Sequence, residues 1–259
     1  MEISIFVYPV IFLASFVLSM AGLGGGLIFA PLFILMGFGQ TPAVASSLLL
    51  NGLGAMTASY VYIRSRLVDF SLSVPLIISS CLAAPAGAMT ARWVDQKYFL
   101  TAMSIVVLGA GIRMLMTSRM QLGDAAKRHV WSWSKLIQTS LLGLAIGFMG
   151  GMLGIGGGVF VVPLLVYLLH VHPKTAAATT AFIVFFSSFA GFFTHVAIEA
   201  LNWKFLILAG LFSSAGGVSG SRLMSTKLSG NFVKRLFGLI LLALAIYLFY
   251  RGIGQSKVL

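Results

Sequence analysis

Two runs of three glycines, Gly24-Gly25-Gly26 and Gly156-Gly157-Gly158, are the residues of this chain best suited to hold a solute. Glycine has no Cβ, so a triple run admits backbone conformations closed to other residues and lets a small molecule come close to the main chain. Each run leads into a short apolar stretch, residues 27–36 and 159–169. A helix starting there presents free N–H groups and the positive end of its dipole, which attract anions. Glycine also serves close helix packing, and Gly143, Gly147 and Gly151 at four-residue spacing suit that role. Two triple runs at matching positions favour binding, so all six glycines are candidate substrate contacts.

Uncharged donors lie nearby in sequence. Ser46, Ser47 and Asn51 share one apolar stretch, and Thr179, Thr180, Ser187 and Ser188 lie along another. Hydroxyls and amides donate to an oxyanion without a charge of their own, which suits a substrate that must also leave. The competing role is back-bonding to the helix that carries them. Ser46, Ser47, Asn51, Thr179, Thr180 and Ser187 join the glycines as candidate substrate-binding residues. The five acidic residues, Glu2, Asp69, Asp95, Asp124 and Glu199, all fall at termini, in connections or at a helix end. With no carboxylate in mid-span, a proton or sodium relay lacks its acid and a cationic substrate lacks a counter-charge. An anion fits better.

Other reactive types point elsewhere. His195 reads as a helix-end histidine bonded to backbone rather than as a proton site, and His170 and His172 have no carboxylate at metal-binding spacing. Cys81 is the only cysteine and lies in an apolar run, which leaves no disulfide framework and no thiolate metal site. Gly217-Val218-Ser219-Gly220 has the Gly-x-Ser-Gly form of intramembrane serine proteases, but no histidine follows Ser219 to act as base, so it reads as helix packing. Arg92, Arg113 and Arg222 sit near span ends, where snorkelling accounts for them; Arg92 and Arg222 are also placed to guard the two mouths of an anion path. No catalytic residue, metal or cofactor is expected. Without a nucleotide-binding motif, any driving force must be a gradient or an external partner.

The elements that position these residues are membrane helices. The 259 residues are 59% hydrophobic and 8% charged, with a mean hydropathy of +1.03, too little polar surface to cover a water-soluble globule. Crossings are expected over 3–20, 43–63, 72–91, 98–116, 136–152, 176–198, 203–223 and 231–250. Residues 27–36 and 159–169 reach only about 15–17 Å as helix, half a bilayer. No Lys or Arg precedes Arg64, so the first apolar segment lacks the basic start of a signal peptide and is expected to be retained. Trp131 and Trp133 read as interface anchors. The net charge of +12 is scattered over short connections instead of forming the basic face that nucleic acid requires.

The chain repeats itself. Ala21-Gly22-Leu23-Gly24-Gly25-Gly26 falls on Leu153-Gly154-Ile155-Gly156-Gly157-Gly158, and Pro31-Leu32 on Pro163-Leu164, at an offset of 132. At an offset of 133, Ala45-Ser46-Ser47 falls on Ala178-Thr179-Thr180, Gly87 on Gly220 and Phe99 on Phe232. This divides one membrane domain into a first repeat, 1–116, a linker, 117–135, and a second repeat, 136–259. If each glycine segment enters and leaves on one side, three crossings remain per half and the repeats invert. The linker then faces the cytoplasm with twelve of the 17 Lys and Arg, leaving Arg92, Lys97, Lys204, Arg251 and Lys257 outside. Parallel repeats give a poorer split of ten to seven, so the positive-inside rule favours inversion. The expected fold is an all-α integral membrane protein of two inverted repeats, each a re-entrant or broken helical hairpin followed by three transmembrane helices, with both termini periplasmic.

The Gly-x-Gly-Gly-Gly run leading into Pro-Leu, its second copy about 130 residues on, and Pro173-Lys174-Thr175-Ala176-Ala177-Ala178-Thr179-Thr180 together resemble the sulfite exporter TauE/SafE family, over essentially the whole chain. The resemblance implies a transporter of sulfur-containing anions, sulfite or small organosulfonates, in the bacterial cytoplasmic membrane. The family's glycine break maps onto Gly24, Gly25, Gly26, Gly156, Gly157 and Gly158, and its hydroxyl pair onto Thr179 and Thr180 and onto Ser46 and Ser47. Gln40 stands where the second half has Pro173, a departure that argues against identical behaviour of the two hairpins. The resulting expectation is a secondary transporter exporting a small anion by alternating access. It is expected not to be an enzyme, with lipid and the anionic solute as partners and no nucleic acid. A passive anion channel with the same pore is the alternative, and an intramembrane serine hydrolase the remote one.

Overall fold

The structure is a computed structural model and describes residues 6–23, 25–38, 40–90, 104–105, 107–109, 111–112, 115–116, 133–153, 158–196 and 201–254. Among them are nine helices: α1 (Val7–Met20), α2 (Gly26–Leu35), α3 (Gln40–Arg64), α4 (Phe70–Thr90), α5 (Trp133–Leu153), α6 (Gly158–Tyr167), α7 (Pro173–Val196), α8 (Trp203–Thr226) and α9 (Gly230–Gly254). The described residues between 104 and 116 are also helical, and no described residue is in a strand. Lipid offers backbone N–H and C=O groups no partner, and a helix satisfies them within its own segment.

By length and composition, Pro42–Arg64, Pro173–Phe193 and Gly230–Tyr247 are long and apolar enough to cross a membrane. Among the described residues these are three of the eight crossings expected from hydropathy, and most of 98–116 lies outside the described residues. In α4 only Phe70–Ala83 is strongly apolar, and α8 is absent from the three although it has 24 residues. The reason is composition: α4 carries Ser71, Ser73, Ser79 and Ser80, and α8 carries Ser213, Ser214, Ser219 and Ser221 among glycines. Small polar residues lower hydropathy and belong at helix interfaces, where backbones approach closely.

Both halves run in the same element order. A helix reaches a glycine break, a ten-residue helix follows, α2 or α6, and long helices come next. At ten residues, α2 and α6 span about 15 Å. Pro163 lies within α6, and Pro31 occupies the matching place in α2, each removing one donor from its helix. Helix α6 and one face of α2 are interior, while Ile28 and Ile34 of α2 are exposed. Phe29 and Phe33 of α2 are fully buried against Ile11, Leu50 and Leu206, and the α6 residues Val159–Val162, Leu165 and Val166 pack with Leu72, Leu76, Phe237 and Leu241.

Packing partners are exchanged between the halves. First-half α1 lies along second-half α8, and second-half α5 lies along first-half α4. Between them, α3 packs on both α7 and α8, and α4 on α7, with α2 against α3 and α6 against α7. Glycines make the contacts close: a Cβ at Gly147 would overlap the Ser80 backbone, one at Gly143 the Ser79 side chain, and those at Gly216 and Gly220 the backbone carbonyls of Phe12 and Phe16. Gly143 and Gly147 therefore pack helices, as their spacing predicts. So do Gly217, which meets the Gly54 carbonyl, and Gly220, the glycines flanking Ser219.

The first break opens with a left-handed cap. The Leu23 N–H donates to the Leu18 carbonyl (2.8 Å) and Gly22 N–H to that of Ser19 (3.0 Å), with Gly22 at φ +79°. This is the Schellman arrangement, in which glycine at the left-handed position avoids a Cβ penalty. The same residue seats α7, since a Cβ at Gly22 would lie 2.8 Å from Ala177 Cα. Gly22→Ala is therefore expected to lower the unfolding midpoint of detergent-solubilised protein. The left-handed backbone alone costs roughly 1–2 kcal/mol and overpacking about 1–3 kcal/mol more. Gly109→Ala, in a helical stretch with nothing within 4 Å of the added Cβ, is expected to leave it nearly unchanged.

Candidate functional site

At the first break the backbone turns its donors onto a side chain. Gly25 N–H and Gly26 N–H both donate to Asn51 Oδ1, at 2.6 and 2.7 Å. Asn51 lies in α3 at 1% exposure, and its Nδ2 donates to Ser188 Oγ of α7 at 2.8 Å. One turn earlier in α3, Ser47 Oγ donates to the Gly26 carbonyl at 3.1 Å. Two N–H donors on one atom and an acceptor on the other fix which end of the amide is oxygen. The start of α2 is thus capped from a distance by the α3 carboxamide, and the N–H groups expected to be open hold an oxygen acceptor from the protein itself.

A second polar link lies beside this cluster. Ser15 Oγ of α1 donates to Ser213 Oγ of α8 (2.7 Å), which donates to the Leu50 carbonyl of α3 (2.7 Å). Ser15 Oγ lies 3.1 Å from where a Gly25 Cβ would be, so the link borders the break. Neither serine stands out in sequence: Ser213 sits in the serine- and glycine-rich run of α8, but Ser15 lies in an apolar helix without glycine.

The helix that follows the second glycine run starts against different residues. Gly24, Gly156 and Gly157 lie outside the described residues, but α6 begins at Gly158. A Cβ at Gly158 would lie 2.5 Å from Val184 Cγ2, 3.5 Å from Leu23 Cδ2 and 3.7 Å from Thr180 Cγ2. At Gly26 the corresponding contact is Asn51, with Cγ at 2.8 Å. By the repeat offset, Val184 holds the place of Asn51, and Thr180 that of Ser47. Thr180 is fully buried and its hydroxyl has no partner.

The remaining candidates scatter. Thr179 Oγ1 accepts from the Asp69 N–H (3.1 Å), tying α7 to the start of α4. Ser187 Oγ donates back to the Val184 carbonyl of its own helix (3.3 Å), and its neighbour Ser188 reaches Asn51 instead. Ser46 is buried in α3. Asp69, the one carboxylate among the described residues, caps α4: its Oδ1 accepts from Ser71 N–H (3.0 Å), Leu72 N–H (3.3 Å) and Ser71 Oγ (2.6 Å). His172, between α6 and α7, lies over Gly230 and its Nδ1 accepts from the Lys174 N–H (3.3 Å). Burial, and then the Lys174 charge, push its pKa below the usual imidazole value. Arg222 is exposed, while Arg92 and the His195 side chain lie outside the described residues.

Residues 7–248 match the sulfite exporter TauE/SafE family. The chain belongs to that family. Among family relatives, it is 26% identical over 265 residues to the probable membrane transporter protein YunE of Bacillus subtilis, covering 93% of this chain and 95% of the relative. It is 29% identical to a probable membrane transporter protein of Haemophilus influenzae over 83% of each chain. The probable membrane transporter protein YfcA of Escherichia coli K12 is 25% identical over 94% of this chain and 88% of its own. No solved structure matches. The chain is thus a membrane transporter of the TauE/SafE family.

The cap makes Asn51 the most consequential side chain of the first break. Asn51→Leu strands two buried N–H groups, at about 1–3 kcal/mol for each unsatisfied group. Asn51→Asp keeps the acceptor for both N–H groups, exchanges the donor to Ser188 for a second acceptor that the Ser188 hydroxyl can meet, and adds a buried carboxylate whose desolvation lowers stability. Thermal unfolding in detergent is expected to rank the proteins wild type, then Asn51→Asp, then Asn51→Leu. Equal stability of wild type and Asn51→Leu would contradict the cap.

Proposed function

We propose that this TauE/SafE-family chain is a secondary transporter that exports a small sulfur-containing anion, sulfite or a small organosulfonate, across a bacterial cytoplasmic membrane. The anion sits between two inverted halves near the glycine breaks, and one half rocks against the other to give alternating access. One observation carries the reading: at the first break an oxygen acceptor rests on two backbone N–H groups deep in the bundle. That is the coordination an oxyanion takes at a helix N-terminus. Main-chain donors and hydroxyls bind a charge without a counter-ion, which keeps the solute exchangeable. The use of Asp69 as a helix cap supports an anion over a cation, because the described bundle offers a cation no open carboxylate.

Inversion is supported by the charge split and by the half-length α2 and α6, which let each break return to the side it entered. The linker, 117–135, then faces the cytoplasm and both termini the periplasm.

Purified protein in proteoliposomes is expected to show saturable uptake of sulfite, thiosulfate or sulfoacetate, accelerated by the same anion on the opposite side. Movement of cations or neutral solutes alone would contradict the anion reading, and single-channel conductance without counterflow would make the protein a channel. In a Cys81→Ser background, a cysteine placed at position 124 is expected to react with an impermeant maleimide only from the cytoplasmic face. Labelling from the periplasmic face would overturn the inverted topology.

A further inference from the structure

The two breaks share a glycine run in sequence, but the helices that follow them start against different side chains. At the first, Asn51 Oδ1 occupies Gly25 N–H and Gly26 N–H, and Ser47 Oγ is spent on the Gly26 carbonyl. At the second, Val184 packs where Asn51 does and offers no acceptor. Thr180, in the place of Ser47, is fully buried against the first residue of α6, and its hydroxyl bonds to nothing. Among the described residues, no side chain accepts from Gly158, Val159 or Phe160, the first-turn donors of α6.

A buried hydroxyl without a partner is costly, and so are first-turn N–H groups without an acceptor. Here both deficits are donors and the Thr180 side chain adjoins Gly158, its methyl 3.7 Å from where a Cβ would be, so one oxygen-rich anion at the start of α6 can meet both. We propose that the two breaks have divided their roles: the first is a permanently self-capped structural element, and the anion docks at the α6 N-terminus, with Thr180 donating to one of its oxygens. Asn51 is the built-in equivalent of the ligand that the second half receives from solution. Val184 keeps that seat vacant by supplying shape without an acceptor. The ligand class is a tetrahedral or pyramidal oxyanion small enough to fit against Gly158, as sulfite and the head of an organosulfonate are. The assignment rests on the anion-transport reading and refines it, since that reading alone treats the breaks as equivalent.

The test is uptake of radiolabelled sulfite into proteoliposomes, with equilibrium binding of the same probe in detergent. Thr180→Val is expected to raise both KM and Kd by about tenfold or more, the loss of one hydrogen bond to a charged group. Thr180→Ser is expected to stay within about threefold of wild type, restoring the donor. Val184→Asn places at Gly158 the amide that Asn51 places at Gly26, and is expected to weaken sulfite binding about as strongly while thermal stability holds or rises. Should Val184→Asn fail to insert, the Thr180 pair decides alone. Inserted Thr180→Val with KM and Kd within about twofold of wild type would overturn the inference, and so would a fall in kcat at unchanged KM, the mark of a structural role. Wild-type protein that saturates with sulfite while Thr180→Val behaves identically removes this inference and leaves the anion transporter standing. Wild-type protein that binds no oxyanion removes both.

Discussion

Main-chain N–H groups at membrane depth must have acceptors, and at a glycine break the helix cannot provide them. The first break answers this constraint from outside itself, through the Asn51 carboxamide on α3. That one cap has reach: it fixes the start of α2 against α3, and its other end holds Ser188 of α7, so an element of each half is tied to the same amide. Loss of the acceptor would leave the turn's two N–H groups buried without a partner, at a cost of several kcal/mol. The α3–α7 pairing at the centre of the bundle and the polar cap are therefore one arrangement.

Around that centre, helices approach through glycines and serines instead of large apolar side chains. Lipid is as apolar as leucine, so association within it depends on close packing and interhelical hydrogen bonds. The glycines of α8 against the Phe12 and Phe16 carbonyls, and those of α5 against Ser79 and Ser80, supply the first. The hydroxyl links supply the second: Ser15 to Ser213 to Leu50, Thr57 to the Ser214 carbonyl at 3.1 Å, and Tyr62 Oη to the Ser19 carbonyl at 2.6 Å. The matched pairs α1–α8 and α4–α5 leave each half incomplete without the other.

Much of the fold is legible in the sequence because membrane depth and duplication leave strong periodic marks. The helix starts at Gly26 and Gly158 sit 132 positions apart, the offset the glycine runs display, and the ten-residue length of α2 and α6 follows from the breaks that bound them. The helices α4 and α8 fall on the expected stretches 72–91 and 203–223, although their serines and glycines make them less apolar than a lipid-facing helix. The site is less legible. Sequence presents Gly25 and Gly26 as open donors, and only three-dimensional placement shows the Asn51 oxygen resting on them. Ser187 and Ser188 are indistinguishable as neighbours, yet about 100° of helical rotation sends one back to its own helix and the other to Asn51. The change from Asn51 to Val184 is visible at the repeat offset, but it gains meaning only once both side chains are found on the same glycine position.

Membership of the TauE/SafE family makes the chain a membrane transporter, and the central claim is that its solute is an oxyanion bound by main-chain donors at a glycine break. Crystals of the protein soaked in selenite, which carries the pyramidal oxyanion of sulfite with a heavier centre, test this most directly by anomalous diffraction at the selenium edge. A selenium peak inside the bundle, within hydrogen-bond reach of the first N–H groups of α6, is the predicted result. Selenium found only at the aqueous surface, in protein that transports selenite, would contradict it.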